Sequence, residues 1–274
     1  GSEDYMNYRV CCLIIGFLGC AASADTWTVD VNGSGDYVSI QEAIIASSDG
    51  DDIQVMPGTY VIPLNEVVNT LGKAIWIYST DGPDVTIIDG QGLRGGIACV
   101  NGEGSETIIE GFTVEYCNRD SGAGIYCEGS SPTIKDCYFQ FNVAEGWGGG
   151  AYCDEGDDGG GSPMFDSCTF ENNQANNGAG LGVRSAGVTL LDCSFINNTA
   201  VAGGGAVRMH TADAGFFSGC LFEGNAADIG GGARLVSNIP LITFELCRFI
   251  DNTARTGGGI ASHDSNVEIT TCSF

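Results

Sequence analysis

Positive charge is scarce in this chain of 274 residues: 10 Lys and Arg stand against 35 Asp and Glu, for a formal net charge of −25. A phosphate backbone would be repelled over most of such a surface, which excludes nucleic acid as a partner. Charged residues of both signs make up only 16%, too few for a helical bundle. The count of 6 Pro beside 43% hydrophobic residues excludes collagen and disorder. Histidine occurs only as His210 and His263.

Long apolar runs are also missing. The longest spans Val10 to Gly19, and ten residues at 1.5 Å each cannot cross a hydrocarbon layer about 30 Å thick. It follows Met6-Asn7-Tyr8-Arg9 and precedes Ala22-Ser23-Ala24, the small-x-small pattern accepted by signal peptidase. Residues 1–24 are therefore read as a signal peptide with Gly1–Tyr5 upstream of it, cleaved after Ala24, and the protein as secreted or exposed on a cell surface. Phe17-Leu18-Gly19-Cys20 offers an alternative, a lipid anchor on Cys20. The mature chain has no transmembrane segment. Cys11, Cys12 and Cys20 leave with the leader, and the other cysteines enter an oxidising compartment where disulfides are permitted.

Several catalytic signatures are absent. There is no Gly-x-Ser-x-Gly and no His-Glu-x-x-His, and no glycine cluster is followed by Lys-Ser/Thr, so no serine-hydrolase elbow, zinc-protease helix or phosphate loop is expected.

Glycine and cysteine are what the chain has in quantity, 43 and 13 residues, and their placement repeats. Cys137, Cys168, Cys193, Cys220, Cys247 and Cys272 recur at about 26 residues. Two residues after each stands Phe139, Phe170, Phe195, Phe222, Phe249 or Phe274, and five after stands Asn142, Asn173, Asn198, Asn225 or Asn252. A cluster such as Gly203-Gly204-Gly205-Ala206 follows each complete copy, and Gly111-Phe112-Thr113-Val114 is a weaker copy with Phe112 in the cysteine place.

A unit of this length, with short β-branched runs such as Val188-Thr189-Leu190, accommodates three short strands and three turns. Stacked about 4.8 Å apart, such units pair each strand in parallel with its copies above and below. The expected fold is all-β, a parallel β-helix of about eight rungs, and the resemblance given below implies that it is right-handed. Cys should sit on Cys and Phe on Phe inside, the asparagines should form an amide ladder, and the glycines should supply positive φ and close backbone approach. Cys127 and Cys153 fall within disulfide range of one another, but the core role favours buried thiols.

Residues 25–274 form one domain in this reading: a cap over 25–52, irregular first rungs over 53–110, and regular repeats over 111–274. Ser39-Ile40-Gln41-Glu42 reads as a capping box opening a short amphipathic helix that covers the first rung. Because Cys272-Ser273-Phe274 stops inside a repeat, further repeats or a partner are expected to cover the last edge.

Three surface constellations stand out. Asp154, Glu155, Asp157 and Asp158 crowd into an insertion and could hold Ca²⁺, the alternative being a solvated acidic loop. Tyr126 and Tyr152 occupy equivalent outward places on adjacent rungs with Trp147 nearby, a possible seat for a sugar face, the alternative being ordinary surface aromatics. The two histidines are placed about two rungs apart at slightly different register, too distant to share a metal.

The run Gly35-Asp36-Tyr37-Val38-Ser39-Ile40-Gln41-Glu42-Ala43-Ile44, with Val55-Met56-Pro57-Gly58-Thr59-Tyr60 and Val85-Thr86-Ile87-Ile88-Asp89-Gly90, resembles the opening of secreted right-handed β-helix proteins of the pectin-lyase-like superfamily. The later repeats are similar to those of the polymorphic outer-membrane protein adhesins, whose Phe-x-x-Asn and Gly-Gly-Ala-aliphatic signatures are both met at Phe195–Asn198 and Gly204–Val207. Gly231-Gly232-Ala233-Arg234 departs at its last residue. The resemblance implies a binding or adhesive scaffold for a polysaccharide or another cell surface. Its alternative is a polysaccharide lyase or glycoside hydrolase. Lyases of the superfamily pair Ca²⁺ with a basic residue, which singles out Arg184, one rung after Asp154, as a catalytic candidate.

Overall fold

The computed structural model describes residues 24–157, 159–238 and 240–274. Residues 1–23, which hold Cys20 and all but the last residue of the expected leader, and Asp158 lie outside the described residues. Ten strands, from Thr26–Val29 to Val267–Thr270, stack in parallel into one sheet, so the described residues make nine windings. That is one more than the repeats suggest, because Thr26–Val29, inside the expected cap, already pairs with Asp52–Val55.

Each regular rung carries four strands rather than the expected three, as in Thr133–Lys135, Tyr138–Gln140, Val143–Ala144 and Ala151–Asp154. The extra one arises because the Phe-x-x-Asn segment bends at a left-handed residue just before the asparagine. The residue takes φ 55° at Phe141, 55° at Asn172 and 54° at Asn197, and the short strand beyond it, Val143–Ala144 in the rung just given, joins its copies from other rungs in a separate six-stranded sheet. A second left-handed residue precedes each cysteine of the 26-residue repeat, among them Asp136, Ser167, Asp192, Gly219 and Leu246. The third corner is always glycine, for example Gly148 at φ 63°, where a Cβ would collide with the Ala151 carbonyl.

Identical residues meet along the axis. Phe170 stacks on Phe139 and Phe195 at 5.1 and 4.7 Å between ring centres, and the column continues through Phe222, Phe249 and Phe274. Cys137, Cys168, Cys193, Cys220 and Cys247 are buried beside it, and Cys99, Cys127 and Cys153 form a second column in direct register. All of these, with Cys117 and Cys272, are free thiols. Burial pushes the Cys137 thiol up to about 12, so at neutral pH it is an uncharged filler of a narrow core.

The asparagines form the expected ladder. Each Nδ2 donates to the Oδ1 of the next rung, at 3.1, 3.0, 3.0 and 2.9 Å from Asn142 to Asn252, and to a carbonyl of the rung before. Each Oδ1 also accepts the backbone N–H of the preceding asparagine. These side chains are fully buried from Asn142 to Asn225, and the ladder meets every polar group there.

The helix Ile40–Ala46 buries Ile40, Ala43 and Ile44 over the first windings. Its capping box does not form, since the Ser39 side chain makes no cap hydrogen bond. The helix is held elsewhere. Gln41 exchanges hydrogen bonds with the Asn69 backbone, and the Lys73 ammonium donates to the carbonyls of Ile44, Ile45 and Ser47 at the C-terminal end, where orphaned carbonyls favour a cation.

Candidate functional site

The outer face of one eight-stranded sheet holds most of the singled-out residues. Because the inward places on these strands belong to Cys127, Cys153, Val183, Met209 and Leu235, alternate residues point outward in two columns. The first runs Tyr126, Tyr152, Gly182, Arg208, Arg234. The second runs Glu128, Asp154, Arg184, His210, Val236, His263. The histidines therefore share one register, with Val236 between them, correcting the offset expected from spacing, which is distorted by unequal turns.

Tyr126 and Tyr152 stack at 5.6 Å and 4°, and Trp147 leans on Tyr152 at 6.2 Å. Tyr152 is outward but covered, only 5% exposed, and its hydroxyl donates to Asp154 at 2.7 Å. Glycine makes the room for this packing: a Cβ on Gly182 would lie 3.2 Å from the Tyr152 ring and 3.3 Å from Trp147. Burial, then the carboxylates beside them, pushes both tyrosine hydroxyls well above their usual range. They are hydrogen-bond donors, not bases.

Beyond Trp147 the face turns basic. The Arg208 guanidinium lies 4.5 Å over the Trp147 ring and donates to Asn177. Arg234 is its direct cross-strand neighbour, and a Cβ on Gly203 would collide with the Arg234 side chain. Arg184 and His210 are neighbours in the second column, and His210 stands 6.3 Å from Trp147. Like charges directly opposite on paired strands repel. Burial, then Arg234, lowers the Arg208 pKa to about 10, and burial, then Arg208, Arg184 and Arg234, lowers that of His210. The arginine ion pairs among the described residues are Arg119 with Glu66 and Arg255 with Asp228. Arg184, Arg208 and Arg234 have none, and the Arg208 Nε is buried without a hydrogen-bond partner.

Arg184 does lie in register with Asp154, as expected. The acidic insertion gathers less. Asp154 is engaged by Tyr152 and by the Glu155 backbone N–H, while Asp157 borders a separate polar cavity of about 490 Å³ with Glu128 and Asn101. Among the described residues, no three His, Cys, Asp or Glu side chains come together to hold a metal ion. Sequence reasoning passed over Arg208 and treated Arg234 only as a departure from a motif. The signal was present in their separation by one repeat in a chain with so few cations.

Among the described residues no helix is long and apolar enough to cross a membrane. No curated protein matches the sequence. Among solved structures, a pectin methylesterase from carrot is similar, with 16% identity and a TM-score of 0.49 over 90% of this chain and 82% of that one. The family model described as a right-handed beta helix region matches residues 27–157 and 123–274. Windings, columns and family model agree: the chain belongs to the right-handed β-helix family.

Proposed function

We propose that the protein is an extracellular binding scaffold that recognises an acidic glycan on the face formed by Trp147, Arg208 and Arg234, with Arg184 and His210 alongside. The observation that carries this reading is the gathering of three arginines without carboxylate partners on successive rungs of a molecule with net charge −25. Uncompensated cations held this close are stabilised when an anion enters between them. The aromatic run Tyr126, Tyr152 and Trp147 continues the same face and suits the apolar side of a sugar ring. The leader read over residues 1–24 supports placing this surface outside the cell.

Calorimetric titration with polygalacturonate and heparin oligosaccharides tests the reading. Binding by the wild type, weakened at least tenfold in Arg208→Ala and again in Arg234→Ala, is expected from the loss of charge-assisted contacts, each contributing about 1.5–3 kcal/mol. Binding that is absent, or indifferent to both substitutions, refutes it.

A second reading, a polysaccharide lyase, is favoured by the register of Arg184 with Asp154 beside the Tyr152 hydroxyl. The same oligosaccharides, incubated with and without Ca²⁺, separate the two. Ultraviolet absorbance from unsaturated chain ends, lost in Arg184→Ala and Asp154→Ala, would replace the scaffold with an enzyme.

A further inference from the structure

A different corner of the coil carries a feature that the arginine face does not explain. Tyr116 and Phe141 occupy equivalent places on successive rungs, each preceding a member of the buried column formed by Cys117 and Asn142. Both backbones are left-handed, at φ 49° and 55°. At the same corner the later rungs use Asn172, Asn197, Gly224 and Asp251, residue types that accept this conformation far more readily than a bulky ring does. Burial does not repay the difference, because Tyr116 is 49% and Phe141 41% exposed.

The two rings stack at 5.5 Å and 12°. They line a cavity of about 430 Å³ together with Asp89, Gln91, Asn118 and Val143, a size that suits a small ligand. Asp89 uses one carboxylate oxygen to accept the Gln91 N–H at 2.7 Å, leaving the other for a donor from a ligand. No cation is among the lining residues, and Arg94 meets the cavity only through Gln91, whose Oε1 accepts a guanidinium N–H at 2.7 Å, so the charge that lines the cavity is the Asp89 carboxylate.

We propose that this corner is a second binding site, specific for an uncharged saccharide, whose ring stacks on Tyr116 and Phe141 while its hydroxyls donate to Asp89 and bond Asn118. It is separate from the acidic-glycan face and takes a ligand of different charge.

The test installs the residues that neighbouring rungs already use. Tyr116→Asn with Phe141→Asn should fold with an equal or higher melting temperature, so lost binding cannot be ascribed to lost structure. Neutral cello-, manno-, xylo- and malto-oligosaccharides are titrated calorimetrically into the whole chain. At least one should bind the wild type, and the double variant should bind it at least tenfold more weakly, while Arg208→Ala leaves it unchanged. No binding by any of the four series, or binding unaltered in the double variant, overturns the proposal. Should the double variant not fold, Asp89→Asn, which changes only the rim, must itself weaken binding, and unchanged affinity there overturns it equally.

Discussion

His210 stands among Arg184, Arg208 and Arg234, and its pKa is lowered by burial and by those three charges. The sign of the resulting pH dependence follows directly. The fold disfavours the protonated ring, so the contribution of His210 to stability is intact above the ordinary histidine pKa of about 6.5 and is lost as pH falls through the lowered folded value. A bound polyanion reverses that bias, since it favours a fourth positive charge at the site. Affinity for polygalacturonate should therefore rise as pH falls below about 6.5 while the uronate carboxylates remain ionised. His210→Gln should flatten the profile, and titrations at a series of pH values check it. The same residue marks the limit of reading a sequence by spacing. Unequal turns hide its arginine neighbours from residue spacing, whereas Arg184 and Asp154, separated by a single rung, share a register that the spacing itself gives.

At the scale of the element, the asparagine ladder does what a hydrogen-bonded strand cannot do at a corner. The backbone turns away from its sheet there, and the stacked amides take up the donors and acceptors that the turn exposes. Asn198→Ala would leave the Asn173 backbone N–H, one Asn173 amide proton and the Phe170 carbonyl without partners in a dry core. At about 1–3 kcal/mol for each buried orphan, the loss should be roughly 3 kcal/mol or more, measured as a lowered midpoint of denaturant unfolding. The substitution also separates this ladder from ordinary surface amides, whose removal changes stability very little.

These columns were legible beforehand because a stack repeats each choice: a residue that fits one rung fits the next, and the cysteines, phenylalanines and asparagines announce their own period. The fourth strand was not legible, because its boundary is a single left-handed residue whose identity changes from Phe141 to Asn172 to Gly224. The capping box at Ser39 failed for a related reason. Local pattern nominates a cap, but the helix is tied down by Gln41 and by Lys73, which arrives from the next winding.

Across the whole molecule, charge acts at two ranges. A net charge of −25 repels an acidic polymer at a distance, while on the proposed function the arginine face would attract it at contact. The screening length shortens from about 30 Å at 0.01 M salt to about 8 Å at 0.15 M. Association of a polygalacturonate oligomer should accordingly quicken over that range, as the distant repulsion is screened first, and should slow again at higher salt. Stopped-flow tryptophan fluorescence resolves the two limbs. A monotonic fall from the lowest salt would mean that the basic face governs approach as well as contact.

The acidic insertion between Asp154 and Met164 has a consequence of another kind. It lengthens one winding, yet Cys127, Cys153 and Val183 remain aligned across it, as do Thr133, Met164 and Thr189 on the neighbouring sheet. The coil thus closes independently of how much chain passes outside it at that bend. Novelty can accumulate there by simple extension, leaving the interior as it was.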